Sequence, residues 1–163
     1  MKKFLLAFFA FAFIVSCTTQ KTVSKYSVIE YEAGPCFGFC PVFKMTIDSN
    51  RNAILEAEHF NFTEGKTKDD MSGPREGTFK TTINKEDYDA LVALLDKTNP
   101  KSLNDFYGDK RITDMATSYL RLTFADQSKK QIQDYGKRGT EELQEIYAFF
   151  ENLKHNQNWE KVK

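Results

Sequence analysis

The chain has 163 residues, of which 40% are hydrophobic and 28% are charged, and its 23 basic residues balance 23 acidic ones. This length is sufficient for one domain with its own core. Because the formal net charge is zero, the chain has no general electrostatic attraction for nucleic acid, and a nucleic-acid partner is excluded at this level.

The first sixteen residues have the pattern of a secretory signal peptide. Lys2 and Lys3 precede an unbroken apolar run from Phe4 to Val15. The run is shorter than the roughly 20 residues that a membrane-spanning helix needs. Residues 1–16 are therefore predicted to be removed, which leaves 21 basic residues against 23 acidic ones.

The end of this segment resembles the lipobox of bacterial lipoproteins. Ile14 is followed by valine, serine and Cys17. By that resemblance, Cys17 becomes the mature N-terminus and carries lipid, which is the predicted membrane partner of the chain. Stable anchoring takes more than one acyl chain, since each buried CH₂ contributes only about 0.8 kcal/mol. The alternative is an ordinary membrane anchor that ends in a buried free cysteine.

The same resemblance implies a location in the cell envelope. Thr18 stands where an aspartate would be an inner-membrane retention signal, which favours the outer membrane, facing the periplasm. Residues 17–27 are polar and are predicted to form a tether between lipid and domain. Residues 28–163 are predicted to form a single domain.

A hairpin of two strands is predicted first in this domain. Residues 41–48 alternate between apolar and polar side chains, with Phe43 on the apolar face. Residues 49–52 have turn composition, and residues 53–62 predict the returning strand. Its two halves place their apolar residues on opposite faces, so a bulge is predicted at Glu58 or His59.

A surface loop, a strand and a helix are predicted next. Residues 63–77 are polar and charged, whereas residues 78–83 have strand composition. Asn84 is a suitable N-cap, and apolar residues then recur at helical spacing until Lys97. Asn99 and proline at position 100 end this amphipathic helix.

The second half of the domain repeats this order. Residues 118–125 and 131–135 predict two further strands, and Thr140 is the predicted cap of a second amphipathic helix. Trp159 is expected to pack back on the domain. Hairpins imply antiparallel pairing, and one-sided helices must be covered by the sheet. We therefore predict an α+β domain, with an antiparallel sheet and two helices packed mainly on one face.

Cys36 and Cys40 allow three interpretations. A catalytic thiol pair needs a thiolate stabilised by a helix N-terminus or a cation, whereas a strand is predicted after Cys40. A zinc site needs four ligands, and the histidines of the chain are His59 and His155. In an exported domain a disulfide can persist, and Gly38 provides the turn that it requires. The disulfide is favoured, with thiol redox chemistry or metal binding as the alternative.

The surroundings of these cysteines resemble a known family. Residues 31–47 and 105–124 are similar to an uncharacterised bacterial family of lipoprotein-type domains, marked by the motif Cys-x-Gly-x-Cys-Pro. The resemblance extends over about residues 28–154. It implies an exported domain of unknown function and brings no catalytic residue and no substrate.

Other candidate sites are few. The sequence lacks a phosphate-binding glycine loop, a His-Glu-x-x-His motif and a nucleophile elbow, so no catalytic residue, metal or cofactor is predicted. Asp114 lies among turn-forming residues before a strand, where it is either a turn former or a ligand contact with Tyr107 and Arg111. Phe37 and Phe39 flank Gly38, and they form a contact surface if exposed or cover the disulfide if packed.

These observations predict a lipid-anchored cell-envelope domain that is a non-enzymatic binding or structural module. Its expected partners are the membrane, through lipid on Cys17, and an envelope protein or cell-wall component. The alternative is a thiol-redox or metal-binding module that uses Cys36 and Cys40.

Overall fold

The structure is a computed structural model that describes residues 24–62, 67 and 72–162. The predicted signal peptide, Cys17 and most of the predicted tether lie outside the described residues. The elements in chain order are β1 (Tyr26–Ala33), β2 (Val42–Asp48), β3 (Asn52–His59), β4 (Gly77–Thr82), α1 (Lys85–Thr98), β5 (Phe106–Tyr107), β6 (Thr117–Phe124), β7 (Lys129–Tyr135), α2 (Glu141–Asn156) and β8 (Glu160–Lys161).

The strands form one sheet in the order β5-β7-β6-β1-β2-β3-β4-β8. The pairs are antiparallel except for β5 and β7, which run parallel. The predicted hairpin of β2 and β3 is confirmed. Val42 pairs with His59 while Phe43 pairs with Ala57, so the predicted bulge is present and Glu58 is its extra residue.

Both helices pack on one face of the sheet, which confirms the predicted α+β arrangement. Alternate residues of β1, β2, β3 and β6 are buried because successive side chains of a strand point to opposite faces. They join the apolar stripes of α1 and α2 in one core, whose largest fully buried side chains include Tyr31, Phe43, Leu91, Tyr147 and Phe150.

The predicted helix caps are also confirmed. The Asn84 side chain accepts a hydrogen bond from the backbone N–H of Asp87, and the Thr140 hydroxyl accepts one from Leu143. Each cap satisfies a backbone donor that has no partner within its own helix. Trp159 packs against the core and donates to the backbone oxygen of Leu153 at 3.0 Å, as expected.

The first strand of the domain begins inside the predicted tether, at Tyr26. Tyr26 and Ile29 are both buried although they are three residues apart, because the register of β1 on β6 shifts between Tyr26 and Val28. A shift of this kind interrupts the two-residue period. No strand is predicted from the sequence before residue 41, and this shift interrupts the alternating pattern at the start of β1.

The two ends of the sheet differ in what they carry. Strand pairings bring the end of β1, the starts of β2 and β6 and the end of β7 to the same end of the sheet. We call it the disulfide end, because residues 34–41 connect β1 to β2 there. Ser24, Lys25 and the turns at residues 49–51 and 125–128 lie at the opposite end, which we call the N-terminal end.

Asp96 attaches the first described residues to α1. Lys25 Nζ lies 2.7 Å and Tyr26 Oη 2.9 Å from the Asp96 carboxylate. Partial burial opposes ionisation, but the hydrogen bonds from Lys25 and Tyr26 outweigh it and hold the pKa of Asp96 below its ordinary value. Because the folded pKa lies below the unfolded one, this stabilisation is present above the unfolded pKa and is lost as the pH falls through the folded pKa.

We expect this contact to contribute to the acid sensitivity of the domain. Between about pH 5 and pH 2, the urea midpoint of the wild-type protein should fall more steeply than that of the Asp96→Asn variant, in which the titrating group is gone. Urea unfolding at a series of pH values measures both slopes. Parallel slopes for the two proteins would contradict the expectation.

Candidate functional site

The loop at residues 34–41 is closed by the predicted disulfide. The Cys36 and Cys40 α-carbons are 5.8 Å apart, and Gly38 between them has a φ of +154°. Such a backbone conformation favours glycine. Two backbone hydrogen bonds hold the loop on the neighbouring strand and loop, from Gly34 to Thr117 at 2.8 Å and from Phe37 to Asp114 at 3.1 Å.

The two phenylalanines of this loop have different environments. The Phe37 side chain is 86% exposed, whereas Phe39 is 45% exposed and its ring lies edge-on to Phe60 with the centroids 5.6 Å apart. Phe37 is therefore exposed, and exposure is the case in which the sequence predicts a contact surface. Phe39 belongs in part to the aromatic packing where β3 ends.

A shallow depression of about 370 Å³ lies beside Phe37. Its walls come from three connections that meet at the disulfide end, and its lining residues are Cys36, Phe37, Cys40, Asp114, Met115, Ala116, Gly136 and Lys137. The lining therefore includes two cysteines, an aromatic residue, an acidic residue and a basic residue.

The structure separates the three predicted ligand contacts. Asp114 lines the depression, has a φ of +66° and accepts a hydrogen bond from the Thr113 hydroxyl at 3.1 Å. Tyr107 is paired in β5, and its hydroxyl accepts the backbone N–H of Asn104 at 3.1 Å. The exposed Arg111 holds Asp109 in an ion pair of 2.7 Å. Tyr107 and Arg111 are not among the residues that line the depression.

Four basic residues lie in two loops at this end. Residues 108–116 follow β5 and residues 136–139 follow β7, and these two strands are paired and run in the same direction. Lys110 and Arg111 are exposed in the first loop, and Lys137 and Arg138 in the second. Among these four residues the sequence predicts a ligand contact for Arg111. Each Lys-Arg pair lies within two residues of a glycine, which is a sequence signal for the other three, but no site is predicted from it.

Asp109 connects the two basic pairs electrostatically. Hydrogen bonds from the side chain and backbone of Arg111, together with the charge of Arg138, hold the pKa of the Asp109 carboxyl below its ordinary value. The parallel pairing of β5 with β7 also places the loops that carry Arg111 and Arg138 next to each other. The two loops thus form one charged surface rather than two separate ones.

A buried carboxylate organises the second loop. Asp134 is inaccessible to solvent, and its oxygens accept from the backbone N–H groups of Arg138 at 2.7 Å and Gly139 at 2.9 Å, and from the Tyr147 hydroxyl at 3.2 Å. Burial and the nearby Asp134 charge raise the pKa of Tyr147, so this hydroxyl remains protonated and donates. Asp134 thereby fixes the path from β7 into α2.

A buried lysine stabilises another connection at this end. Lys154 on α2 contacts Glu151 at 2.7 Å and donates to the Asn61 side chain at 3.1 Å, and its ammonium group lies 4.1 Å from the centroid of the Phe43 ring. Asn61 in turn donates to the backbone oxygens of Val42 and His59. Neither Asp134 nor Lys154 is predicted from the sequence, because the pattern at both positions is equally compatible with a polar residue on the surface.

Within the described residues, no three histidine, cysteine or acidic side chains are grouped as a metal-binding set. His59 lies at the end of β3 with its ring centroid 6.1 Å from that of Phe60. Neither helix in the described part of the chain has the length and apolar character needed to cross a membrane.

The fold and this surface define an α+β domain in which a disulfide-closed loop is held at one end of a sheet that carries both helices on one face. The chain belongs to the DUF6438 family, a domain of unknown function, whose family model matches residues 27–154. The matched segment begins in β1 and ends in α2, so it includes the disulfide end completely. No curated protein matches the chain.

Proposed function

We propose that the protein is a lipid-anchored module of the cell envelope that binds a partner through the disulfide end and catalyses no reaction. The observation that supports this most is that the chain entry into the domain and the disulfide-closed loop lie at opposite ends of β1. The chain enters the domain at the N-terminal end, and β1 leads over about 23 Å to the disulfide end. A surface at that position is directed away from the point of attachment.

The distance between lipid and domain in this proposal is short. Seven residue steps separate Cys17 from Ser24, which is about 25 Å when fully extended. Ser24 itself is attached to α1, since its hydroxyl lies 2.9 Å from that of Tyr88. The tether would thus bring the N-terminal end of the sheet close to the membrane and leave the disulfide end accessible.

The chemistry of the disulfide end suits binding. An aromatic side chain that is exposed on a covalently closed loop loses little conformational freedom when a partner covers it. Phe37 is such a side chain, and a backbone hydrogen bond to Asp114 restricts it further. The cost of ordering the contact residues is therefore low.

The anchoring part of the proposal is tested with a Cys17→Ser variant of the full chain. Wild-type protein should incorporate labelled fatty acid and remain in the membrane fraction after a high-salt wash, whereas the variant should lose the label completely. A Cys36→Ser/Cys40→Ser variant is the matched control and should retain the label. A Cys17→Ser variant that is still labelled would refute lipidation at this residue.

Thiol redox chemistry is the second candidate, and one observation favours it. The two cysteines and Lys137 line the same depression, and a nearby cation favours a thiolate. Against this, Cys40 leads into β2 at Val42, so the motif does not open a helix. Alkylation of the protein in the intact envelope, without reductant, distinguishes the candidates. Complete modification of both cysteines would favour the redox module, and complete protection would favour a stable disulfide.

A further inference from the structure

We propose that the disulfide end docks onto a folded protein partner, which receives the Phe37 ring in an apolar pocket and presents carboxylates to Lys137 and Arg138. This inference rests on the proposed binding function and specifies the class of partner.

The Phe37 ring has the properties of a central anchor. It is the most exposed large apolar side chain in the described part of the chain, at 86%, and it stands on the five-residue loop between the cysteines. Interfaces concentrate their binding energy in a few aromatic or arginine side chains that enter pockets of the partner. A protruding ring beside a depression of limited depth requires that the pocket belong to the partner.

The charges around the ring favour an acidic partner. The two loops contribute Lys110, Arg111, Lys137 and Arg138, against Asp109 and Asp114. Arg111 already pairs with Asp109, so Lys110, Lys137 and Arg138 provide the remaining positive charge. Since the whole chain carries equal numbers of acidic and basic residues, this excess is a local feature of these two loops. A partner of opposite charge would be attracted to it and oriented by it.

Asp114 favours a protein surface over a lipid surface. Its backbone oxygen accepts the N–H of Phe37, and its exposed side chain lines the depression together with that ring. Insertion of Phe37 into a bilayer would bring this carboxylate into the interface, where desolvation and anionic headgroups oppose it. A folded protein can place groups of both signs at fixed positions, and can therefore satisfy Lys137 and Asp114 together.

Site-specific photo-crosslinking in intact cells of the native host tests this inference. The full chain carries a photoreactive phenylalanine analogue at position 37 or, as the control, at position 54. Ile54 is 51% exposed and lies within β3, away from the disulfide end. Irradiation should give a discrete protein adduct from position 37 and none from position 54.

Charge reversal supplies the second measurement. Lys137→Glu/Arg138→Glu should lower the yield of the adduct at least about tenfold, because two carboxylates would then face the acidic partner. The matched control, Lys80→Glu/Lys85→Glu, reverses two exposed charges away from the disulfide end and should leave the yield unchanged. Urea midpoints equal to that of the unreversed chain establish that the variants are folded, since Arg138 contacts Asp134 through its backbone.

The results of these experiments distinguish a failure of the docking surface from a failure of the lipid anchor. Adducts with lipid only, adducts with a second copy of the chain, or no adduct at all from position 37 would each overturn protein docking. An adduct whose yield is unchanged by the Lys137→Glu/Arg138→Glu reversal would overturn the acidic partner. A specific protein adduct in a chain that carries no lipid label would support the docking surface and refute the anchor alone.

Discussion

Replacing Asp134 with alanine is expected to lower the free energy of unfolding by about 3 kcal/mol. The carboxylate is fully buried and accepts hydrogen bonds from Arg138, Gly139 and the Tyr147 hydroxyl. Removing it leaves three donors without their acceptor in a site that water does not reach, and a hydrogen bond to a charged group contributes about 1.5–3 kcal/mol. Urea unfolding with linear extrapolation measures the loss.

Two further variants test the cause of this loss. Asp134→Asn retains one oxygen acceptor, so its loss should be smaller than that of the alanine variant. Asp89→Ala removes an aspartate whose ion pair with Lys85 is exposed on α1, and it should change stability by only about 0.5 kcal/mol. A loss below about 1 kcal/mol for Asp134→Ala would show that the loop at residues 136–139 does not depend on the carboxylate.

The second large effect is expected at Gly108, where β5 ends beside β7. Gly108 has a φ of +114°, and a β-carbon at this position would lie 2.3 Å from the backbone oxygen of Tyr135. Gly108→Ala therefore combines an unfavourable backbone conformation with a collision against a backbone atom that cannot move alone. We expect a loss of about 3 kcal/mol in the free energy of unfolding, measured by urea unfolding.

Gly136 provides a matched control for this substitution. Its φ is also positive, +79°, but the nearest atom to an added β-carbon is the flexible end of Met115 at 3.1 Å. Gly136→Ala should lower the free energy of unfolding by only about 1 kcal/mol, because the backbone conformation alone becomes unfavourable. If the two variants were equally stable, the close approach of β5 to β7 would not contribute to folding.

The elements that the sequence predicts correctly are those with a local physical cause. Alternating side chains define β2 and β6, and helical spacing with a capping residue defines α1 and α2. The bulge at Glu58 is also local, since a change of face within one strand requires an extra residue. Each of these signals lies within a few consecutive residues.

The elements that it misses depend on distant partners. The strands β5 and β8 contain two residues each, too few for any period, and they exist because β7 and β4 offer free backbone groups. The strand β1 is also missed, and its register shift on β6 interrupts the two-residue period at its start. In each case the deciding hydrogen bonds join residues that are far apart in the chain.

The candidate site likewise has one part that the sequence predicts and another that depends on distant partners. Cysteine spacing and Gly38 predict the closed loop, and glycine between two phenylalanines limits how many rings can be buried. The signal for the neighbouring charges is weak, because two Lys-Arg pairs in separate loops resemble ordinary solvated surface. The parallel pairing of β5 with β7 brings those loops together, and only the folded sheet shows it.

The sequence by itself determined the α+β class, the helix caps and the disulfide-closed loop, because each follows from backbone conformation and hydrophobic period over short stretches. Only the tertiary structure decided that Phe37, Asp114 and Lys137 share one surface. It also decided that the Asp134 carboxylate binds the backbone of the loop at residues 136–139. The physical reason is that these contacts come from strand order and register, which depend on the free energy of the whole core.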